Sequence, residues 1–307
     1  MNQIIETQNL TRSFGRQEVV RNLTFEVPTG SIYAFLGPNG AGKTTTIKML
    51  MNILQPSGGS ARIMGVDSRE LGPAQLAQIG YVSENQELPD WMTVHQFIEY
   101  CRAMYPTWDQ AFCTQLVKDF DLPLDKKLSS LSRGTKVKAS LVTSLAYRPK
   151  LVVLDEPFTG LDALVRDEFI RGLLELSEQS DWSIFISSHD IDEVDRLADR
   201  VGIINEGQLH LSETTESLQN RFRLIMFTLA EEMSRMPSDL PKSWLVSEMT
   251  SRSIRFVESE FEEVKTRSEI LRVYPSAQDV IITQISLRDI FLTLAKTFRF
   301  KNSASKS

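Results

Sequence analysis

Apolar and polar positions alternate through the first thirty residues. The runs IIETQNLTRSF and VVRNLTFEV repeat every second residue and are separated by a turn, which predicts two antiparallel strands. SIYAFLG reads as a strand that stops at glycine. From Thr44 to Leu54 the spacing becomes helical and ends near QPSGGS. ARIMGVD then predicts a short strand, LGPAQLAQ a helix and IGYVSE a strand. Helical spacing dominates from about Trp91 to Tyr147, most clearly in MTVHQFIEYCRAMY and WDQAFCTQLVKDFDL. LVVLDEP is apolar on both faces, as a central parallel strand is. A helix (LVRDEFIRGLLELSEQ), a strand (SIFISSH), a helix (DIDEVDRLA) and a strand (RVGIINEGQLHL) complete this part.

Strands that alternate with helices predict an α/β fold with a mainly parallel sheet. The antiparallel strands precede it, and the stretch at about 88–147 is a helical insertion. The pattern changes after Thr215. RLIMFTLA, WLVSEM and SIRFVES read as strands, the last two joined by a TSR turn; FEEVKTRSEILRVY is helical, DVIITQIS a strand and LRDIFLTLAKTF a helix. The expected division is one domain over 1–215, a small α+β appendage over 216–300 and a disordered tail over 301–307. MSRMPSDLPK is the expected loop of the appendage, and no internal repeat is found.

Composition narrows this picture without redirecting it. The 307 residues are 41% hydrophobic and 24% charged, which supports a sizeable core. The net charge of −6 disfavours a broad nucleic-acid-binding face. Cys101 and Cys113 lie in helical sequence without a CxxC spacing and read as buried, reduced thiols. No apolar run reaches the length of a membrane span, and the N-terminus has no signal-peptide pattern.

Chemistry concentrates in three places. Gly37, Pro38, Asn39, Gly40, Ala41, Gly42, Lys43 and Thr44 fit GxxxxGK[ST] between a strand and a helix, with Thr45 following. Backbone N–H groups of such a loop curl around a β-phosphate, and the helix N-terminus adds favourable potential. Lys43 supplies positive charge to the β- and γ-phosphates, and the Thr44 hydroxyl suits Mg²⁺. The strand LVVLDE ends in two acids: Asp155 is placed for the metal and Glu156 for polarising an attacking water. His189, in SSHD, follows the next strand and is expected near the γ-phosphate. His95 and His210 read as structural. A fourth segment, LSRGT (Leu131 to Thr135), reads by itself as a helix start with Ser132 as N-cap.

Taken together, the phosphate loop, LSRGT, LVVLDEP, GLD (Gly160 to Asp162) and SSHD resemble the ordered motifs of ABC-type ATPases over roughly residues 2–215. The resemblance implies one ATP-binding and ATP-hydrolysing subunit of an exporter, whose membrane-spanning permease is a separate chain, acting at the cytoplasmic face of the membrane. It implies ATP and Mg²⁺, and two cassettes paired head to tail as a homodimer or heterodimer. LSRGT corresponds to the signature, usually LSGGQ, which contacts the γ-phosphate held by the partner cassette. Ser132 and Gly134 match; Arg133 and Thr135 depart, and Arg133 either points away from the composite site or changes it. The resemblance also implies that Phe14 stacks on adenine, that Glu84, ahead of Gln86, takes the metal-facing place of the coupling loop, and that Asp162 lines the dimer interface. Trp91, Met92 and Thr93 open an insertion that resembles the subdomain docking onto the permease. The ending ISLRDIFLTLAK is similar to that of single-cassette bacterial exporters. Two other classes fit the sequence less well. A soluble ABC ATPase on ribosomes or DNA normally has two cassettes or a long coiled coil. A P-loop GTPase normally has an NKxD-like motif, and a P-loop kinase has no use for LSRGT.

Overall fold

The computed structural model describes residues 2–84, 86–178 and 182–304. The chain divides into two compact units, Met1–Ser212 and Glu213–Ser307.

In the first unit the alternating segments pair as expected. β1 (Gln3–Phe14) and β2 (Gln17–Pro28) are antiparallel. β3 (Ile32–Leu36) leads through the Gly37–Gly42 loop into α1 (Lys43–Leu50). β4 (Gly58–Ile63) pairs with β1, and β5 (Val66–Asp67) with β4, giving a four-stranded antiparallel sheet ordered β2-β1-β4-β5. ARIMGVD is therefore two strands, because Met64 (φ +51°) and Gly65 (φ +77°) turn the chain between them. After α2 (Pro73–Leu76), a single turn, come β6 (Ile79–Val82), α3 (Val94–Arg102), α4 (Gln110–Asp119), α5 (Arg133–Leu145) and β7 (Leu151–Asp155). α6 (Ala163–Glu178), β8 (Ser183–Ser188), β9 (Arg200–Asn205) and β10 (Gln208–Thr214) follow. The expected final residue of the α6 segment, Gln179, lies outside the described residues.

The second sheet has the order β10-β9-β3-β8-β7-β6. Five of its strands, β9, β3, β8, β7 and β6, run parallel. β7 and β8 are buried at every position, as their uninterrupted apolar runs predict. Leu10, Leu23, Phe25 and Val27 of the antiparallel sheet share one core with Phe35, Val153 and Phe185 of the parallel sheet and Ile47 and Leu50 of α1. Phe25 stacks 5.9 Å from Phe185 and 5.5 Å from Phe35. Burying each such aromatic contributes about 1.5–3 kcal/mol. This core holds the phosphate loop against the sheet end.

Two expectations need correction. DIDEVDRLA is not a helix: a 3₁₀ turn at Ile191–Glu193 ends at Val194. The Asp190 side chain caps Asp192 N–H, and the following turns bury Val194, Leu197 and Ala198 instead of extending a helix. RVGIINEGQLHL is two strands, parted by Glu206 (φ +48°) and Gly207 (φ +78°). Cys113 is buried, but Cys101 is only partly so; both are free.

The second unit begins with α7 (Thr215–Arg221) and β11 (Arg223–Leu229), followed by β12 (Trp244–Met249), β13 (Ser253–Glu258), α8 (Glu263–Val273), β14 (Ala277–Gln284) and α9 (Leu287–Ala304). Its antiparallel sheet has the order β12-β13-β11-β14. Trp244 stacks on Phe256 at 4.1 Å, and both pack with Phe227, Ile270 and Tyr274. Helix α9 continues into the expected tail as far as Ala304; residues 305–307 lie outside the described residues. No described helix is long and apolar enough to cross a membrane.

Candidate functional site

The site forms where the ends of β3, β7 and β8 meet. Gly42 is the N-cap of α1, so no capping side chain covers the helix N-terminus. Its φ of +106° and a built Cβ that would lie 2.9 Å from Val19 O require glycine. Gly37 is equally constrained, by Ile204 O of β9. The loop closes through Ala41 N–H to Pro38 O (3.1 Å). The uncapped first turn of α1 then offers backbone donors and a positive potential.

Lys43 is buried and folds back over the loop. Its Nζ donates to Gly37 O (2.6 Å) and Pro38 O (3.2 Å) and pairs with Glu156 Oε1 at 2.9 Å. Thr44 Oγ1 donates to Asp155 Oδ1 (3.2 Å), which also accepts from Ser187 Oγ (2.7 Å). Asp155 Oδ2 is buried with no hydrogen-bond partner. An orphaned carboxylate oxygen beside a threonine hydroxyl fits a small hard cation. Burial raises the Asp155 pKa, and the charges of Glu156 and Glu84 add to the rise; the Ser187 and Thr44 hydrogen bonds oppose it.

Glu156 stands immediately after β7 at φ +49°, a conformation costly for a non-glycine residue. Four contacts hold it there. Its N–H donates to Ser187 Oγ (3.0 Å), Thr159 Oγ1 donates to its Oε2 (3.3 Å), His189 Nδ1 meets the same oxygen at 2.7 Å, and Lys43 pairs with Oε1. Burial by itself raises the Glu156 pKa. The hydrogen bonds and charges of His189 and Lys43 outweigh it, so Glu156 is held below the usual glutamate range.

Sequence reasoning missed several residues here. Ser187 joins both acids, and its signal was a serine at the end of an otherwise apolar strand. Buried Glu193 accepts from Ser188 Oγ and faces Arg166 at 3.7 Å. Glu156, His189 and Glu193 present ligand-type atoms within 4.8 Å of one another. Their existing partners, Lys43, Ser188 and Arg166, make this cluster a hydrogen-bonded and charge-paired network. Val19 of β2 was also missed. With Asn39, Gly40, Gly42, Lys43, Thr44, Thr45, Glu84 and Glu156 it lines a cavity of about 260 Å³.

Other expected residues lie elsewhere. Phe14 is 48% exposed at the end of β1, outside the cavity lining, with the Arg12 guanidinium 4.5 Å from its ring centroid. Ser132 caps α5: its Oγ accepts from Thr135 N–H (3.2 Å) and shares a hydrogen bond with Thr135 Oγ1 (2.9 Å). Gly134 is buried, and a Cβ there would lie 2.9 Å from Val165 Cγ1. Its glycine thus answers to packing within its own chain. Asp162 caps α6 through Val165 N–H (2.9 Å). Gln86 is exposed, whereas Glu84 lines the cavity. Of the three residues opening the helical stretch, Met92 is core and Thr93 caps α3 in a reciprocal box with Gln96. Trp91 alone is exposed, at 70%.

Comparison with known proteins gives concordant matches. The family model described as ABC transporter matches residues 20–159. The chain is 30% identical to the ABC transporter ATP-binding protein YtrB of Bacillus subtilis over 67% of this chain and 70% of that protein. It is 31% identical to the bacitracin transport ATP-binding protein BcrA of Enterococcus faecalis over 73% of each. It is 32% identical to the sulfate/thiosulfate import ATP-binding protein CysA of Salmonella typhi over 69% of this chain and 60% of that protein. A solved ATP-binding subunit of an ABC transporter superposes with a TM-score of 0.64 at 26% identity, over 71% of this chain and 92% of that one.

Proposed function

This chain belongs to the family of ABC transporter ATP-binding proteins, and from that premise we propose that it is the ATPase subunit of an exporter. A separate permease chain supplies the membrane path, and the ATPase works as a pair of cassettes on the cytoplasmic face. The observation that carries this reading is the cavity at the α1 N-terminus lined by Lys43, Thr44 and Glu156, with Asp155 bonded to Thr44 and His189 to Glu156 behind it.

Each residue has a role that its geometry supports. The α1 N-terminus and Lys43 receive the β- and γ-phosphates of ATP. Thr44 Oγ1 and Asp155 Oδ2 are the groups that would hold magnesium, which supplies positive charge against the phosphate oxygens. Phosphate competes with Glu156 for Lys43, leaving the carboxylate to accept a proton from the attacking water. His189 fixes Glu156 Oε2, and Ser187 sets the angle between the two acids. With Thr135 Oγ1 as donor in the hydrogen bond the two hydroxyls share, Ser132 Oγ accepts from its own helix and has its proton to offer the phosphate held by a partner cassette. Phe14 retains one ring face for adenine, Arg12 lying over the other. Trp91, Tyr100 and Met104 are exposed on the helical insertion and suit an apolar contact with the permease.

The relatives include a sulfate/thiosulfate import protein, so export rests on the exporter-like ending ISLRDIFLTLAK. Loss of the chain should then sensitise cells to toxic compounds, whereas an importer would leave a nutrient requirement. The site itself is tested by the solution mass of Glu156→Gln with and without ATP–Mg²⁺. Hydrolysis should fall at least about a hundredfold, and ATP should trap a homodimer that Ser132→Asp abolishes. A monomer with ATP demonstrably bound would exclude self-pairing and point to a second kind of cassette.

A further inference from the structure

Arg133 stands at the first position of α5, in the place where the sequence departs from the usual signature. Its guanidinium, though partly exposed, turns back onto the loop that carries Glu84. Nη2 donates to Glu84 O at 3.4 Å and lies 3.7 Å from Glu84 Oε1. The stem of the side chain lies across Gly160, where a built Cβ would fall 3.3 Å from Arg133 Cδ and 3.3 Å from Nη1. Gly160 (φ +74°) follows Thr159, which hydrogen-bonds Glu156. One arginine therefore touches two loops of the phosphate cavity: the one carrying Glu84 and the one that anchors Glu156.

The charges show why this contact matters. Glu84 and Glu156 line the cavity, with Asp155 on Thr44 beside them, against a single lysine. A triphosphate entering this pocket meets two lining carboxylates, with Asp155 buried behind Thr44. Arg133 is a second cation, and it meets Glu84, the lining carboxylate that Lys43 does not pair with.

We propose that Arg133 is a positioning residue for Glu84. The pair holds the Glu84 carboxylate away from the incoming phosphates and offsets its charge, so that Arg133 and Glu84 work as one unit in ATP binding. This rests on the reading of the cavity as an ATP site. It makes the two departures, Arg133 in LSRGT and glutamate in the coupling loop, a matched pair. It also links the cavity of one cassette to the α5 N-terminus that faces the partner cassette.

The test is a double-mutant cycle in the full-length chain. ATP binding is measured by calorimetry in EDTA, and kcat and KM in Mg²⁺, for the parent, Arg133→Ala, Glu84→Gln and the double variant. Side-chain exposures of 46% and 31% limit the pair to a modest effect. Arg133→Ala should weaken ATP binding about three- to fivefold, in KM more than kcat. In the Glu84→Gln background the same substitution should cost less than about 1.5-fold. Arg133→Lys should restore most of the loss, and the coupling should vanish near 0.5 M KCl. Equal losses in both backgrounds would overturn the proposal, since they would mean that Arg133 attracts phosphate directly or only packs α5. Should Arg133→Ala fail to fold, Arg133→Gln, which keeps the stem over Gly160, enters the cycle in its place. A parent chain that binds ATP no better than Lys43→Ala would overturn the ATP-site reading as well. ATP binding that Lys43→Ala abolishes, together with an additive cycle, would remove the pair alone.

Discussion

Glu156 combines a left-handed backbone, burial, the opposite charge of Lys43 and a hydrogen bond with His189. Its carboxylate is more acidic in the folded chain than in the unfolded one, so it contributes stability above its unfolded pKa. That contribution is lost as pH falls through its folded value. Glu156→Gln removes it and leaves Lys43 buried without its counter-charge. Urea unfolding at pH 7 should show a loss of about 1.5–3 kcal/mol. The deficit should narrow as pH falls below about 4.5, where the unfolded chain begins to protonate Glu156, and close as pH falls through the lower folded value. A deficit independent of pH would mean that the loss comes from packing and not from charge. Asp155 shifts the opposite way: burial raises it, so its ionised form costs stability as pH rises through its folded value. The two adjacent acids are thus driven apart in their titration, Asp155 upward and Glu156 downward. This part of the site was legible in the sequence, because GxxxxGK[ST] and an apolar strand ending in two acids have few other uses. The Arg133–Glu84 contact was not legible, because its partners are 49 residues apart and neither has a short-range pattern.

At the level of elements, the sequence pattern identified strands and long helices and misjudged short connections. Buried parallel strands announce themselves by unbroken apolar runs, as in β7 and β8. The turns at Met64–Gly65 and Glu206–Gly207 were hidden because each flanking strand continues the apolar alternation across them. DIDEVDRLA carries helical spacing, but Asp190 caps the start of a single 3₁₀ turn and buried Glu193 bonds Ser188, which fixes a tighter path. Gly134 shows how one element constrains another. Helix α6 approaches α5 so closely that a methyl at Gly134 meets Val165 and Leu161. Gly134→Ala should therefore destabilise the fold by about 1–3 kcal/mol despite alanine's higher helix propensity. A lowered Tm checks this, and an unchanged or raised Tm would mean that α6 moves aside freely. Thr93→Ala should cost about 1 kcal/mol through the lost cap of α3. It should leave ATP affinity within about twofold, because α3 contributes no residue to the cavity lining.

At the scale of the whole molecule, the question is whether the two units depend on each other for their stability. Each has its own core. In the first, aromatic rings of both sheets interlock around Phe25 and Phe185. In the second, Trp244, Phe256 and Phe227 of the four-stranded sheet pack with Tyr274 and with the fully buried Ile270 of α8. All residues assigned here to phosphate and metal binding and to proton transfer lie within Met1–Ser212. A fragment of 1–212 should bind ATP within about twofold of the full chain, and a fragment of 213–307 should fold cooperatively by itself. The second fragment has fewer than a hundred residues, so its margin is slim, and a Tm in the ordinary mesophilic range would already establish autonomy. Trp244→Ala supplies the control. It removes a ring stacked at 4.1 Å and should cost about 3–5 kcal/mol, enough to unfold the 213–307 fragment. The same substitution in the full chain should leave ATP binding intact if the units are independent. If it abolishes ATP binding there, the second unit stabilises the ATPase, and its part in the transporter extends beyond its own fold.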